Sequence, residues 1–412
     1  MLIEFTVSNF RSIADKQIVS LVPDKKINDL PQNIVERHKY QALNVVAMYG
    51  PNNSGKSTIL QGLHLLIHLL RSSSASNSSE ELPYEPNLLV SGYSDRPTEL
   101  SMVFVYDGAR YRYGLSFNQK SILTEWLYRK KVGREVALFV REGDIIDVTS
   151  ALEGGKKVID AAIEATRDNG LFLSTGDILN LKDCGIIFKY IDSLLIIDGV
   201  NSDFQGRVTE NRLEENPDFI SHINRYITSF DLGIHRIFLA ESKDGGAPVV
   251  CATHLVFDEN GKETGDEIAW ALADRESSGT QKMFQIIGPV ISTLSMGSTI
   301  VIDEIEAKLH TQLTNVLVSL FTDPKSNPKQ AQLIFATHDT NLLSYANLRR
   351  DQINFVEKDK KGSTQIFALS DVRYFAGNKE RPDKNREEKS YLEGRYGATP
   401  KVKFEDLLIP VA

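Results

Sequence analysis

The stretch MYGPNNSGKST, Met48–Thr58, decides the fold, because it matches the pattern G-x-x-x-x-G-K-[ST] of a phosphate-binding loop. Glycines at both fixed positions let the backbone turn tightly, so that successive N–H groups converge on an anion. Lys56 brings a positive charge to the phosphates of a nucleotide, and the Ser57 hydroxyl is placed to ligate Mg²⁺. The predicted nucleotide-binding residues are Gly50, Pro51, Asn52, Asn53, Ser54, Gly55, Lys56, Ser57 and Thr58.

The residues on either side of this loop favour the same interpretation. Before it, NVVAMY (44–49) is a short apolar run that is typical of a buried parallel strand. After it, STILQGLHLLIHLL (57–70) carries apolar residues at helical spacing. A helix that starts at the loop adds the partial positive charge of its N-terminus to the site. A chance match in a surface turn is the alternative, and the strand–loop–helix context disfavours it.

Composition limits the remaining classes of protein. The 412 residues carry a net charge of −8, so the surface as a whole does not attract nucleic acid, although a local basic track would still allow DNA binding. No apolar run reaches the roughly 18 residues that cross a bilayer, and the N-terminus lacks the features of a signal peptide. Two cysteines, Cys184 and Cys251, make a disulfide framework implausible. We expect a cytoplasmic protein with no membrane partner.

Along the chain, hydrophobic periodicity changes several times. Residues 98–150 alternate as strands do, with a hairpin signal at Asp107-Gly108, residues 151–235 follow helical spacing, and an α/β pattern then returns. The prediction is an α/β fold in which a P-loop NTPase domain is split by an antiparallel β subdomain and a helical insertion. The predicted domains are 1–97 (N-terminal half of the ATPase domain), 98–150 (β subdomain), 151–235 (helical insertion), 236–372 (C-terminal half) and 373–412 (charged tail).

A second chemical motif lies in STIVIDEIEAKLH, residues 298–310, where a buried-strand run ends in two acids. Asp303 at the strand end can hold Mg²⁺, and Glu304 beside it can accept a proton from an attacking water. Parallel sheets place their ligands at this carboxyl edge. Alone, such a pair is more often a solvated strand end; in a chain that also has a phosphate loop it becomes a specific signal.

The next strand-like run, AQLIFATHDTNLL (331–343), ends in Thr337-His338-Asp339. A single histidine is more often structural than catalytic. Because His338 terminates the strand that follows the acidic one, its side chain can reach a γ-phosphate and either donate or accept a hydrogen bond. We predict a catalytic role for it.

Upstream, DRESSGTQKMFQIIGPVISTL (274–294) predicts a helix that begins with Ser277, Ser278 and Gly279. Small and hydroxyl residues at this position are ordinary helix caps. They also leave a helix N-terminus open to an anion, so they are candidate nucleotide-binding residues.

Together these parts resemble the ABC-type ATPase head shared by the SMC, RecF and OLD groups. GPNNSGKST matches its Walker A motif, TIVIDEIE its Walker B motif, ESSGTQK its signature, ATHD its switch histidine, and NFRS (9–12) its N-terminal element. The resemblance implies that Arg11 contacts nucleotide. The ending YLEGRYGATP (391–400) and the signature that starts at Glu276 resemble the AbiL/RloA-type ATPases of bacterial phage-defence operons.

The resemblance implies ATP and Mg²⁺ as cofactors and a second copy of the chain as a partner. In this class the signature of one head completes the nucleotide site of the other, so Ser277 and Gly279 would face the γ-phosphate bound by the partner's Lys56. His310 occupies the place of the D-loop. The Q-loop glutamine has no clear match, with Gln119 as a weak candidate, and the signature lacks the leading Leu and second Gly of transporter ATPases.

Two functions compete on this evidence. The first is an ATP-driven sensor in antiviral, abortive-infection defence that controls a separately encoded effector. The second is a RecF-like ATPase that binds duplex DNA in repair or recombination. A transporter ATPase is disfavoured by the unusual signature, and the absence of a C-x-x-C hook and a long heptad arm excludes an SMC proper and a zinc-hook repair ATPase.

Overall fold

The computed structural model describes residues 1–198, 209–210, 212–213, 215–216, 218–241, 248–376, 379–382 and 388–399. The chain divides into two compact units. The first unit consists of Met1–Ser193 and Ile334–Ala412, and the second consists of Leu194–Leu333. Within the described ranges, no helix is both long enough and apolar enough to cross a membrane.

The elements follow one another along the chain in three groups. The N-terminal part of the first unit contains β1 (Leu2–Ser8), β2 (Gln17–Ser20), β3 (Ile34–Arg37), β4 (Tyr40–Leu43), β5 (Val45–Tyr49), α1 (Lys56–Ser72), β6 (Thr98–Tyr106), β7 (Ala109–Phe117), β8 (Ile122–Lys130), β9 (Val136–Glu142), β10 (Ile145–Val148), α2 (Lys156–Ala165), α3 (Phe172–Ile178) and α4 (Lys182–Asp192). The second unit contains β11 (Leu194–Asp198), α5 (Phe219–Ser229), β12 (Arg236–Ala240), β13 (Val249–Phe257), β14 (Glu263–Ala271), α6 (Leu272–Arg275), α7 (Ser278–Met296), β15 (Thr299–Asp303) and α8 (Thr311–Thr322). The remainder contains β16 (Gln332–Thr337), α9 (Leu342–Tyr345), β17 (Ile353–Lys358), β18 (Thr364–Ala368), β19 (Arg373–Ala376), β20 (Lys379–Pro382) and α10 (Glu388–Leu392), with 3-10 turns at Pro31–Asn33, Arg350–Gln352 and Leu369–Asp371.

The described part of the first unit contains two large sheets and the two-stranded sheets β3-β4 and β19-β20. One large sheet is antiparallel, with the strand order β10-β9-β8-β7-β6-β1-β2. Its β6–β7 hairpin turns at Asp107 and Gly108, both of which have positive φ angles, as a tight two-residue turn requires. The other sheet places β5 between β16 and β17, with β18 at the edge beyond β17.

Strand β5 positions the phosphate loop. Its five residues are all buried, and it pairs in parallel with β17, so that Tyr49 lies opposite Phe355. A strand that is covered on both faces reads as a continuous apolar run, which explains VVAMY. The loop leaves the carboxyl end of β5 and enters α1, whose apolar residues, among them Ile59, Leu63 and Leu66, are buried.

In the second unit, β11 and β15 pair in parallel, and the register sets Asp198 opposite Asp303. A separate antiparallel sheet has the order β12-β13-β14. Helix α5 packs against β12 and against α7. The carboxyl end of β15 and the N-terminus of α7 both lie in this second unit.

One element differs from the sequence prediction. The helical spacing predicted for 151–235 includes the run IIFKYIDSLLII (186–197), but α4 ends at Asp192 and Leu194–Asp198 form strand β11. Four consecutive apolar residues fit a buried strand as well as a helix, so periodicity alone cannot separate the two. The predicted domain bounds stay a prediction.

The C-terminal segment 388–399 packs on β17. The ring of Phe355 stacks with Tyr391 and Tyr396, at centroid distances of 5.2 and 5.5 Å. Glu357 of the same strand accepts a hydrogen bond from the backbone N–H of Ala398 at 2.8 Å. Of the predicted tail, residues 377–378, 383–387 and 400–412 lie outside the described part of the chain.

Candidate functional site

The phosphate loop has the backbone conformation that its glycines predict. Gly55 has a φ of +107° and caps α1 at its N-terminus without any side-chain hydrogen bond. A Cβ atom at Gly55 would overlap the side chain of Thr364, and one at Gly50 would overlap the carbonyl oxygen of Val356. The first-turn N–H groups of α1 have no acceptor within the helix. The loop therefore forms a cradle of backbone donors at the positive end of a 17-residue helix.

Lys56 is buried beneath this cradle. The residue is only 4% exposed, and its Nζ atom donates to the carbonyl oxygens of Gly50 (2.8 Å) and Pro51 (3.3 Å). Nζ also lies 3.1 Å from Nε2 of His338, which directly follows strand β16. A buried ammonium needs acceptors, and here the loop and the histidine supply them. The structure thus brings together Lys56 and His338, which are 282 residues apart.

The hydroxyl side chains of Thr364 and Ser12 contact residues of the phosphate loop. The sequence prediction gave neither of them a role. Thr364 of β18 is fully buried, and its Oγ1 donates to the carbonyl oxygen of Ser54 at 2.9 Å. Ser12, within the NFRS element, lies 2.8 Å from the same Oγ1 and donates to Thr58 at 3.3 Å. Thr364 belongs to no motif; its only sequence signal is its place in a strand after β17.

Arg11, for which the resemblance implies a contact with nucleotide, binds two side chains of the chain itself. Its guanidinium makes a two-bond ion pair with Glu85, at 2.8 and 2.9 Å, and also donates to Gln61 of α1 at 2.5 Å. The pair is about half exposed. The contact with Gln61 nevertheless places Arg11 beside the helix that the phosphate loop starts.

The residues present in the loop fit a phosphate group. The Oγ atom of Ser54 is buried and has no hydrogen-bond partner among the described residues. A hydroxyl in that position can donate to a phosphate oxygen. Together with the Lys56 ammonium and the uncapped start of α1, it gives an anion several donors in one place.

In the second unit, the acidic pair follows β15 directly. Asp303 and Glu304 are both half-buried, and Glu304 has a φ of +48°. Left-handed backbone is uncommon for a residue other than glycine, and such strain concentrates at functional sites. In the described residues, no cluster of three or more histidine, cysteine and acidic side chains could hold a metal by itself. A Mg²⁺ site that uses one carboxylate, a hydroxyl and phosphate oxygens, as the sequence predicts, does not need such a cluster.

The predicted signature begins α7. Ser277 is the N-cap, and its Oγ accepts from the N–H of Thr280 at 3.1 Å. Ser277 and Ser278 are exposed, and Gly279 is half-buried, with no room for a Cβ beside the carbonyl oxygen of Lys308. The capping role and an anion role are therefore both open to this helix start, because a cap satisfies only some of the first-turn N–H groups.

Lys282, one turn into α7, is almost completely buried. Burial lowers the pKa of its ammonium to about 8, the nearby Asp198 opposes this shift, and Lys308 adds to it. The sequence prediction quoted this lysine as part of the signature without a role. Lys282 and Gly279 are at i+3 and i on the helix and so share one face of it. This spacing could have indicated that the Lys282 side chain faces inward.

The candidates for the D-loop and the Q-loop, His310 and Gln119, both make contacts with nearby residues. His310 caps α8, its Nδ1 accepting from the N–H of Gln312 at 3.2 Å, and its side chain is exposed. Gln119 lies in the β7–β8 turn and donates to Glu81 at 2.8 Å. Neither contact tests the D-loop or Q-loop assignment.

One known family matches the parts of the chain that contain these residues. Residues 45–151 and 188–344 match the model of the family described as "AAA domain, putative AbiEii toxin, Type IV TA system". The matched stretches contain the phosphate loop, the signature segment, the acidic pair and His338, and together they make up more than half of the chain. A comparison with curated proteins gave no match. On this match and on the strand–loop–helix that holds Lys56, the chain belongs to this family of P-loop ATPase domains.

Proposed function

We propose that the protein is an ABC-type ATPase of the SMC, RecF and OLD groups, related to the AbiL/RloA-type proteins, and that it works as a nucleotide-gated dimer. The observation that carries the proposal is the contact between Lys56 and His338. A phosphate-loop lysine that is buried against a histidine at the end of the neighbouring strand gives one group that binds a γ-phosphate and one that can sense it.

The proposed reaction is hydrolysis of ATP to ADP and phosphate. The loop residues 50–58 bind the phosphates, and Lys56 neutralises their charge. Glu304 accepts a proton from the attacking water, whose oxygen forms the new bond to the γ-phosphorus while the bond to the β–γ bridging oxygen breaks. His338 donates a ring N–H to a γ-phosphate oxygen. Mg²⁺, when held by Ser57 and Asp303, would supply charge neutralisation of the phosphate oxygens.

The dimer is proposed from the second unit. The start of α7 exposes Ser277 and Ser278 rather than burying them, although the rest of the helix is largely buried. An exposed helix N-terminus with hydroxyl side chains suits an anion that another molecule presents. We infer that this segment completes the ATP site of a second copy, and that loss of the γ-phosphate loosens the pair.

The proposed division of the chain keeps the predicted domains. Support comes from the family match, which leaves out residues 152–187. This stretch contains α2, α3 and the first half of α4, as an insertion into a split ATPase domain would. The β subdomain at 98–150 corresponds to β6–β10.

The proposed biological role is a sensor in antiviral, abortive-infection defence that controls a separately encoded effector. The description of the matched family, which refers to a toxin–antitoxin system, supports a protein partner. A RecF-like role on DNA is the alternative, and the net charge of −8 gives it no support.

The test is the ATPase rate per chain as a function of protein concentration. A site shared between two copies predicts a rate that rises steeply with concentration and then levels off. Lys56→Ala and Ser277→Arg should each be inactive alone, but their mixture should regain activity, since one site of the mixed dimer is intact. A rate that is independent of concentration down to verified monomers contradicts the dimer. Strong stimulation by duplex DNA at low salt would instead favour the RecF-like role.

A further inference from the structure

Three side chains of the second unit meet directly beside the signature. The Oε1 atom of Glu276 accepts a hydrogen bond from Nε1 of Trp270 at 2.7 Å and lies 2.8 Å from Nε2 of His254. The imidazole and indole rings are stacked, with centroids 4.1 Å apart and planes inclined by 16°. We refer to His254, Trp270 and Glu276 as the carboxylate clamp. It joins strands β13 and β14 to the residue that precedes Ser277.

The clamp is largely withdrawn from solvent. The Glu276 side chain is 8% exposed and that of His254 is 18% exposed. A carboxylate is costly to bury unless it is paired and hydrogen-bonded, and hydrogen bonds to a charged group are stronger than neutral ones. An acid on the surface can be hydrated by water, but the same oxygen of Glu276 contacts both Trp270 and His254. These two contacts hold the carboxylate in one place.

Both ring nitrogens of His254 have a partner. Its Nδ1 lies 2.8 Å from the carbonyl oxygen of Gly233, which can only accept, so Nδ1 donates to that oxygen. Its Nε2 lies 2.8 Å from the Glu276 oxygen. The imidazole is therefore fixed in orientation by contacts at both nitrogens.

Charged groups near the clamp include Arg275, which lies over the Trp270 ring, 5.9 Å from its centroid. Asp274 precedes Arg275 in the chain. Glu267 on β14 pairs with Arg236 at 3.3 Å and with His235 at 3.6 Å. This second histidine–carboxylate contact belongs to the same sheet and does not include the clamp residues, which makes it a built-in control.

The clamp acts where the backbone changes from extended to helical. Glu276 and Ser277 are extended, with ψ angles of 152°, and α7 starts at the next residue. Gln281 reaches back from the first turn and donates to the carbonyl oxygen of Glu276 at 3.0 Å. A tether on Glu276 therefore decides where the helix begins and where the N–H groups of Ser278 and Gly279 point. The close approach of Gly279 to Lys308 leaves little tolerance for displacement.

We propose that Glu276, held by His254 and Trp270, is a positioning residue of the ATPase: it presents the start of α7 to the nucleotide bound by the partner copy. The inference rests on the proposed function above. It gives the β12–β14 sheet a role in catalysis, since that sheet supplies the two side chains that hold the carboxylate. Because the signature serves the partner's site, the clamp should affect turnover and closure of the dimer without affecting ATP binding by one chain.

The experiment compares Glu276→Ala with Glu267→Ala as the matched control. For Glu276→Ala we expect an ATP dissociation constant within about twofold of the parent, measured on dilute protein, and a kcat that is lower by about tenfold or more, which corresponds to loss of a charged hydrogen bond. Glu267→Ala should keep the parent kcat. A mixture of Glu276→Ala with Lys56→Ala should regain activity, because one site then has both an intact loop and an intact clamp.

A conservative variant separates positioning from folding. Trp270→Phe keeps the stacked ring and removes one donor, so kcat should fall by about fivefold with little change in melting temperature.

The outcomes are distinguishable from failure of the proposed function. If Ser277→Arg is inactive while Glu276→Ala and Trp270→Phe keep the parent kcat, the clamp does not position the signature. If Ser277→Arg is itself fully active, the shared site is wrong, and the clamp inference falls with it for that separate reason.

Discussion

The ammonium of Lys56 lies 3.1 Å from Nε2 of His338, the residue that directly follows the strand next to the one that carries the phosphate loop. A lysine ammonium can only donate, so the ring nitrogen that faces it acts as an acceptor. The same lysine donates to two carbonyl oxygens of its own loop. In the proposed ATPase, a bound γ-phosphate would take the place of these acceptors around the Lys56 ammonium. It would then lie in direct contact with the His338 ring.

His338→Ala should therefore weaken binding of ATP by about tenfold, equivalent to about 1.4 kcal/mol, and leave binding of ADP almost unchanged. ADP has no γ-phosphate for the ring to contact. Isothermal titration with both nucleotides measures the difference. His68→Ala, on the exposed side of α1, is the control and should change neither affinity. Equal weakening of both nucleotides would remove His338 from γ-phosphate sensing.

Thr364→Val should lower ATP affinity by about tenfold, while Thr364→Ser should keep most of it. The valine has nearly the same shape but leaves the Ser54 carbonyl and the Ser12 hydroxyl without their shared partner. An unsatisfied buried polar group costs about 1–3 kcal/mol, and here the cost falls on the phosphate loop. Fluorescence titration with a labelled nucleotide measures it. Valine and serine variants of equal affinity would argue that the loop holds its shape without this hydroxyl.

Local patterns predicted the parts of the site that are continuous in the chain. The loop from Gly50 to Thr58, its flanking strand and helix, and the helix start at Ser278 each depend on neighbours within about ten residues, where periodicity and turn chemistry are informative. Thr364 could not be predicted in the same way. Its contact with Ser54 spans 310 residues and depends on the pairing of β17 with β5 and β18.

Strand β11 shows another reason for a difference. The run that forms β11 has no polar residue at a diagnostic position, so helix and strand were equally compatible with it. The contact of Arg11 with nucleotide stays a prediction that came from resemblance alone. The acid that pairs with Arg11, Glu85, lies in an irregular segment that no periodicity describes, so this ion pair could not be predicted from the sequence.

Glu304→Gln should bind ATP with unchanged affinity and hydrolyse it at least 100-fold more slowly, because the amide cannot accept a proton from water. The strained backbone at φ +48° is retained, since glutamine has the same backbone preferences. Single-turnover hydrolysis and size-exclusion chromatography with ATP measure the slow step and the persistence of the dimer. A variant that turns over at the parent rate would exclude Glu304 as the base.

Lys282→Met should change how stability depends on pH. The pKa of buried Lys282 is lowered to about 8, below its ordinary value of 10.5, so between these values the unfolded chain binds more protons and stability rises with pH. The parent should therefore gain about 2 kcal/mol of unfolding free energy between pH 7 and 9.5 relative to Lys282→Met. Urea denaturation at both pH values measures this gain. Lys329→Met, at an exposed position, should show no such difference from the parent.

Tyr391→Ala should destabilise the first unit by about 3 kcal/mol, as loss of a buried aromatic side chain usually does. The ring stacks on Phe355, and its hydroxyl donates to the carbonyl oxygen of Ala398 at 2.7 Å. Leu392→Ala next to it removes a mostly exposed side chain and should cost less than about 0.5 kcal/mol. Thermal unfolding compares the two. Equal melting temperatures would mean that segment 388–399 contributes little to the unit.

The return of residues 388–399 to Phe355 has a consequence for folding. Strand β5 carries the phosphate loop and pairs with β17, whereas the aromatic residues that cover β17 come much later in the chain. Contacts between such distant parts form slowly. The strand that supports the loop should therefore be fully packed only late in folding, and chains truncated before Tyr391 should bind nucleotide poorly.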